Sequence, residues 1–371
     1  MKSQVETSLR RPSWLLPTPA RRDEPGSETT VRGLLVRLMR GEDLPRSKAA
    51  ALFGAALDDR VTDAQIGAAL VALAIKGETV DELSGMAEAM RARSVRIRCQ
   101  HKRFIDTAGT GSSFAKTFNV STAAAFVCAG AGLPVAKHGS SAATSLSGSA
   151  DVLSELGVNV RVEAALSEAC LNELGICFLF APLYHRATAR VAEIRRQLGV
   201  HTTFNLLGPL TNPAGAPRQI IGVWHETLLE PLAHTLLALG TRHAWVVHGS
   251  DGLDEITTAG PTRIAEARDG KVRTFTVQPE NFVIRSQESL DELRGGNAGD
   301  NARLIRAVFE NESGRVVETA RDLIIANAAA AIHVGGVEDN LPSAAERAAE
   351  SISSGAARQK LEALAARTSN R

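Results

Sequence analysis

Between Asp106 and Asp151 the chain carries two loops rich in Gly, Ser and Thr, separated by one helical segment and each running into a helix start. The first reads Asp106-Thr-Ala-Gly-Thr-Gly-Ser-Ser-Phe-Ala-Lys-Thr-Phe-Asn-Val-Ser-Thr122, and the second Lys137-His-Gly-Ser-Ser-Ala-Ala-Thr-Ser-Leu-Ser-Gly-Ser-Ala-Asp151. Loops of this kind expose backbone N–H groups and hydroxyls that wrap a polyphosphate. They predict a fold that holds a phosphorylated small molecule.

The flanking texture predicts the architecture. From Val31 to Arg98 the pattern is helical: Ile66, Leu70 and Leu73 share a face, Gly77 closes that helix, and Thr79 caps the next. Four short helices make a small all-α unit. After Arg98, short apolar strands (Phe104–Asp106, Pro134–Ala136, Cys177–Phe180, Gln219–Trp224, Ala244–His248) alternate with helices, which predicts an α/β domain with a mostly parallel central sheet. Arg273–Val277 reads as a later strand, with antiparallel pairing open to it. The expected division is a flexible arm over residues 1–27, marked by Pro12, Pro17, Pro19 and Pro25, a helical domain over 28–99 joined by helices from about 184–200, and an α/β domain over 100–371.

Charge narrows the partners. Forty-two Lys and Arg against 41 Asp and Glu leave a net charge of +1, so no global field recruits nucleic acid or an anionic membrane. Cys99, Cys128, Cys170 and Cys177 show no Cys-x-x-Cys spacing, which favours reduced thiols and a cytoplasmic setting. Arg10-Arg11 is followed only by Trp14-Leu15-Leu16 before Pro17, too short for an export signal, and the apolar window Leu323–Val334 contains Asn327 and His333 and is too short for a membrane span.

In the first loop, Gly109 and Gly111 relax the backbone at a strand end, and Asn119, Ser121 and Thr122 begin a helix whose unpaired N–H groups face the loop. It is neither a P-loop nor a dinucleotide fingerprint, and a tight turn with an ordinary cap stays open as a reading. In the second, Lys137 supplies a point charge and Ser140, Ser141, Thr144, Ser145 and Ser149 supply hydroxyls; a solvated Lys-His pair is the alternative. Asp254 and Glu255 follow a strand, where open α/β sheets bind ligands, and suit Mg²⁺ carried by a pyrophosphate, although such a pair is commonly a solvated turn. Arg195 and Arg196 offer a fork for a carboxylate; pairing of either with Glu193 on a surface helix is the competing reading.

Taken in order, Gly-Thr-Gly, Thr117-Phe-Asn-Val-Ser-Thr122, Lys137-His-Gly139, Ser147-Gly-Ser-Ala-Asp151, Phe204-Asn-Leu-Leu-Gly-Pro-Leu-Thr-Asn-Pro213 and Asp254-Glu255 resemble the anthranilate phosphoribosyltransferase family from about residue 30 onward. The resemblance implies transfer of a phosphoribosyl group from phosphoribosyl pyrophosphate to the amine of anthranilate, with Mg²⁺ and a homodimer. It implies a donor site made of Gly109, Ser112, Ser113, Thr117, Asn119, Val120, Ser121, Thr122, Lys137, His138, Gly139, Ser140, Ser141, Ala142, Ala143, Thr144, Ser145 and Ser149. Ser121, Asp254 and Glu255 would serve the metal, while Gly109, Ser140 and Arg195 would face anthranilate; no acid, base or nucleophile is required. The chain departs from the family pattern at Ser112-Ser113 (Gly-Asp in the family), Ser140-Ser141 (Asn-Arg) and His201 (often Arg). The departures keep two alternatives in view: a paralogue acting on another aromatic amine, and a non-catalytic or nucleic-acid-binding relative.

Overall fold

The computed structural model describes residues 30–111, 113, 115–142, 146–285 and 289–369. The expected arm, and the expected site residues Ser112, Ala143, Thr144 and Ser145, lie outside the described residues.

Four helices open the fold: α1 (Val31–Met39), α2 (Arg46–Leu57), α3 (Asp63–Lys76) and α4 (Val80–Ala92). Capping boxes start α3 (Thr62 with Gln65) and α4 (Thr79 with Glu82), and Gly77, at φ +83°, ends α3. The Glu82 carboxylate is fully buried and also accepts from Leu44 N and Lys76 Nζ, each at 2.9 Å, so one capping residue locks the turns between these helices.

The α/β part runs β1 (Ile105–Gly109), α5 (Val120–Gly130), β2 (Val135–Gly139), α6 (Ser149–Glu155), α7 (Ala164–Leu174), β3 (Ile176–Phe180), α8 (Ala181–Tyr184), α9 (Ala189–Leu198), α10 (Thr203–Leu207) and β4 (Arg218–Gly222). It continues through α11 (Leu229–Ala238), β5 (His243–Gly249), β6 (Thr262–Arg268), β7 (Lys271–Val277), α12 (Ala298–Phe309), α13 (Arg315–Val334), α14 (Leu341–Ser353) and α15 (Ala356–Thr368). One seven-stranded sheet has the order β3-β2-β1-β4-β5-β6-β7, parallel from β3 to β5 and antiparallel at β6 and β7. The connections leave β1 in one direction and reach β4 in the other, so β1 and β4 form the switch point, with Gly109 opposite Gly222 at its carboxyl end. Open sheets bind ligands at such a crevice.

Strand alternation sends the two sheet faces to different cores. Ile220, Trp245, Val247 and Ile264 pack with α5 and α13, whereas Ile221, Val246 and Ala265 join α11 and the opening helices in a second core. Helix α9 packs on α3, and α10 and α11 on α4, so the all-α unit and one sheet face share a continuous interior. Strand β6 escapes a sequence pattern because Arg263, Glu266 and Arg268 interrupt it. Glu266 is nevertheless buried in mid-sheet, accepting from His243 at 2.8 Å, from Trp245 Nε1 at 2.9 Å and from Arg273. No helix among the described residues is long and apolar enough to cross a membrane.

Candidate active site

At the carboxyl end of β1, Thr110 donates through both N and Oγ1 to the Gly222 carbonyl at 2.9 and 3.1 Å, bridging the switch point. Asp254 and Glu255 follow β5 and pass directly over the end of β4: a Cβ on Gly222 would lie 1.6 Å from the Asp254 carbonyl oxygen, so only glycine fits. Asn327 of α13 holds this segment from below, donating to Ile256 O and accepting from Ile256 N, both at 2.9 Å. Glu255 Oε1 accepts from Ser121 N at 3.2 Å, at the start of α5.

These carboxylates are expensive to bury. Burial, and then the neighbouring Asp254, push Glu255 up to about 8, with Lys137 opposing. Burial also raises Asp254, against hydrogen bonds from Ser113 and Gly111. Lys137 Nζ donates to Thr107 O at 2.5 Å and Ser121 Oγ at 3.3 Å; burial lowers its pKa, opposed by Asp106 and Glu255. Asp106, pushed up by burial to about 6, accepts from His138 N at 3.0 Å. Lys137 therefore neutralises the protein's own carboxylates first, and it stands in the middle of β2 rather than in a loop.

The set Asp254, Glu255 and the Ser121 hydroxyl suits Mg²⁺: hard oxygens, a carboxylate pair that Lys137 compensates only in part, and too few ligands for an all-protein cage. Among the described residues no group of three or more His, Cys, Asp or Glu makes a metal cage.

The second loop is shaped by Asp151, whose Oδ2 accepts from Ala142 N and Gly148 N at 2.8 Å each. A Cβ on Gly148 would fall 2.5 Å from Ala142 N, so the loop closes only around glycine. Asn301, on α12, donates to Asn119 Oδ1 at 3.0 Å and to Ser147 Oγ at 2.8 Å, joining both loops. The first loop is fixed further by Phe118 N donating to Leu293 O at 3.2 Å.

From the helical layer, Arg195 of α9 reaches the same cleft. Its Nε donates to Thr202 Oγ1 at 3.1 Å, one Nη donates to Asn205 Oδ1 at 3.2 Å, and its guanidinium lies 5.2 Å from the Phe204 ring centroid. It has no ion pair among the described residues, and burial lowers its pKa. Arg196 instead makes the surface pair with Glu193, at 2.6 Å. Between the two sides lie His138 and His185, with ring centroids 5.1 Å apart. Burial holds them neutral, lowering His138 to about 3 and His185 to about 4. His138 Nδ1 donates to Gly208 O at 3.2 Å.

A cleft of about 500 Å³ brings together Gly109, Ser113, Thr117, Asn119, Ser121, Thr122, Lys137, His138, Gly139, Ser140, Ser141, Ala142, Ser149, Arg195, Asp254 and Glu255. Val120 does not line it: the residue is buried and its N–H donates to Phe118 O at 2.7 Å. His138 carries no charge for a phosphate. Ser113 hydrogen-bonds Asp254, so the family's carboxylate position holds a neutral group beside the acidic pair. His201 stacks on Trp224, centroids 5.0 Å apart, and does not line the cleft. Sequence reasoning missed Asp106, His185, Asn301 and Asn327. Asp106 and Asn327 stood inside segments already singled out, but nothing local reveals their partners.

Residues 101–358 match the family described as "Glycosyl transferase family, a/b domain", and residues 32–94 its "helical bundle domain". An anthranilate phosphoribosyltransferase of Anaeromyxobacter sp. is 48% identical over 338 residues, spanning 91% of this chain and 98% of its own length. The structure of the Thermus thermophilus anthranilate phosphoribosyltransferase superposes with a TM-score of 0.83 at 35% identity, covering 90% of this chain and 98% of that one. The Saccharomyces cerevisiae enzyme, solved in complex with PRPP and Mg, gives 0.82 at 26% identity, covering 92% and 99%. That yeast protein has also been solved in complex with 4-fluoroanthranilate.

Proposed function

The chain belongs to the anthranilate phosphoribosyltransferase family, and from this premise we propose how its own residues perform the reaction. The enzyme transfers the phosphoribosyl group of phosphoribosyl pyrophosphate (PRPP) to the amine of anthranilate, giving N-(5-phosphoribosyl)anthranilate and pyrophosphate, with Mg²⁺ as cofactor. The observation that carries the assignment of roles is the charge division within one cleft: buried Asp254 and Glu255 on the sheet rim, and an Arg195 without ion pair among the described residues on the helical side.

Asp254, Glu255 and Ser121 would hold Mg²⁺, and the ion would supply charge neutralisation to the pyrophosphate. The loop backbones around Gly109–Gly111 and Ser140–Ala142, with the start of α5, hold the donor's phosphates. Arg195 grips the anthranilate carboxylate through two parallel hydrogen bonds and so aims the amine at the ribose C1. The C1–O bond breaks with its electron pair leaving on pyrophosphate as the nitrogen lone pair forms the new C–N bond, and the amine proton then passes to solvent. Neutral His138 and His185 bring no charge to the floor. The site residues thus act by positioning and electrostatics. A homodimer in the cytoplasm completes the reading.

Purified protein incubated with PRPP, Mg²⁺ and anthranilate should consume anthranilate fluorescence, and EDTA should stop it. Absence of consumption with a properly folded protein, over a range of Mg²⁺, would reject the reading.

A further inference from the structure

At the opposite end of the sheet, β4 begins at Arg218 and β5 at His243, about 13 Å along the strands from the switch point. A second cavity of about 360 Å³ opens there, bordered by Arg218, Arg242, Arg268 and His333. Its back wall is built, not fluid: His333 packs against Trp245 and His243 at centroid distances of 5.3 and 6.2 Å. Arg218 is fixed by Nε donating to Gly335 O at 3.0 Å, yet its Nη1 is buried without a hydrogen-bond partner. Arg103 joins from the turn before β1, donating to Gly336 O at 2.7 Å.

The acids of the rim are mostly engaged. Asp269 pairs with Arg268 at 3.2 Å and Glu338 with Arg347 at 2.6 Å; exposed Asp339 has no ion pair among the described residues. Glu266, beneath the wall, is taken by His243, Trp245 and Arg273. Arg103, Arg218 and Arg242 therefore stand together without a carboxylate partner among the described residues. Burial lowers the pKa of Arg218, and the charges that add to the effect, Arg242, Arg103 and Arg268, are all cationic. Such a cluster costs stability until an anion enters it.

We propose that this cavity is a binding site for a small, multiply charged oxyanion, a phosphate ester or a polycarboxylate, separate from the catalytic cleft. Guanidinium forks match either ligand through paired hydrogen bonds, and the volume admits a small molecule.

The test is calorimetric titration of the full chain with inorganic phosphate and, separately, with citrate, at ionic strength held constant with NaCl. The Arg103→Gln/Arg242→Gln double variant changes two exposed side chains and should fold, as circular dichroism will verify; Gly148→Val, which disrupts the phosphate-holding loop at Ala142, serves as the cleft control. Saturable binding that weakens roughly tenfold or more in the double variant but persists in Gly148→Val is expected. A response to phosphate alone assigns a phosphate ester, and to citrate alone a polycarboxylate. No saturable binding of either anion, or binding unchanged in the double variant, overturns the proposal.

Discussion

On the sheet side of the cleft, Asp254 and Glu255 are buried next to each other with Lys137 as the opposing cation, whereas on the helical side Arg195 is held by Thr202, Asn205 and Phe204, none of which is charged. The first side carries more negative charge than it can neutralise internally. The second carries a positive charge that nothing has answered. The same physical cost, desolvation of an ion, is thus incurred with opposite sign, and under the proposed function each side would be completed by what it lacks: a divalent cation with its diphosphate, and a carboxylate.

Removing the charge from the sheet side should have the largest effect. Asp254→Asn/Glu255→Gln is expected to lower Mg²⁺-dependent turnover by at least about a thousandfold. Thermal unfolding of the metal-free variant should show no loss of stability, since a buried repulsion is gone; retained turnover would break the comparison. On the helical side, Arg195→Leu should raise the KM for anthranilate about 50-fold, corresponding to about 2 kcal/mol of charge-assisted hydrogen bonding, and leave the KM for PRPP nearly unchanged. Equal changes in both constants would show that the two sides are not separate.

The neutral floor between them predicts a pH effect. A base whose folded pKa is depressed stabilises fully above its unfolded value of 6.5, and loses that contribution as pH falls toward the folded value, about 4 for His185. Near pH 5 the loss is about 2 kcal/mol for one such histidine. His185→Phe should therefore flatten the acid limb of Tm against pH relative to the parent between about pH 6.5 and 4; a parallel limb would mean that His185 is not held neutral. A smaller effect is expected from Ser113→Asp, which places a third carboxylate beside Asp254. Apparent Mg²⁺ affinity in the steady-state assay should tighten severalfold while the metal-free protein loses about 1 kcal/mol. Weaker Mg²⁺ dependence would argue that Ser113 lies apart from the acidic pair.

Much of this was legible in the chain because it is local. Capping residue Thr79, Gly77, and the glycines of both loops act within a few residues of themselves, so helix ends and loop positions follow from their spacing. Strand β6 was not legible, since Glu266 looks like a surface residue until His243, Trp245 and Arg273 surround it. Residue types alone left Arg195 and Arg196 as equals, and only the family resemblance singled out Arg195: adjacent residues on α9 point in different directions, one into the cleft and one toward Glu193.

By itself, then, the sequence determined the helical unit, the strand-helix alternation, the two loops rich in Gly, Ser and Thr and the carboxylate pair after a strand, all properties of short segments and their periodicity. Only the tertiary structure decided that Lys137 serves Glu255 and Asp106, that Asn327 and Asn301 brace the site, and that unpaired arginines gather at the far rim. The reason is that sheet order sets which distant segments become neighbours, and a charge acquires its role from neighbours that no local pattern names.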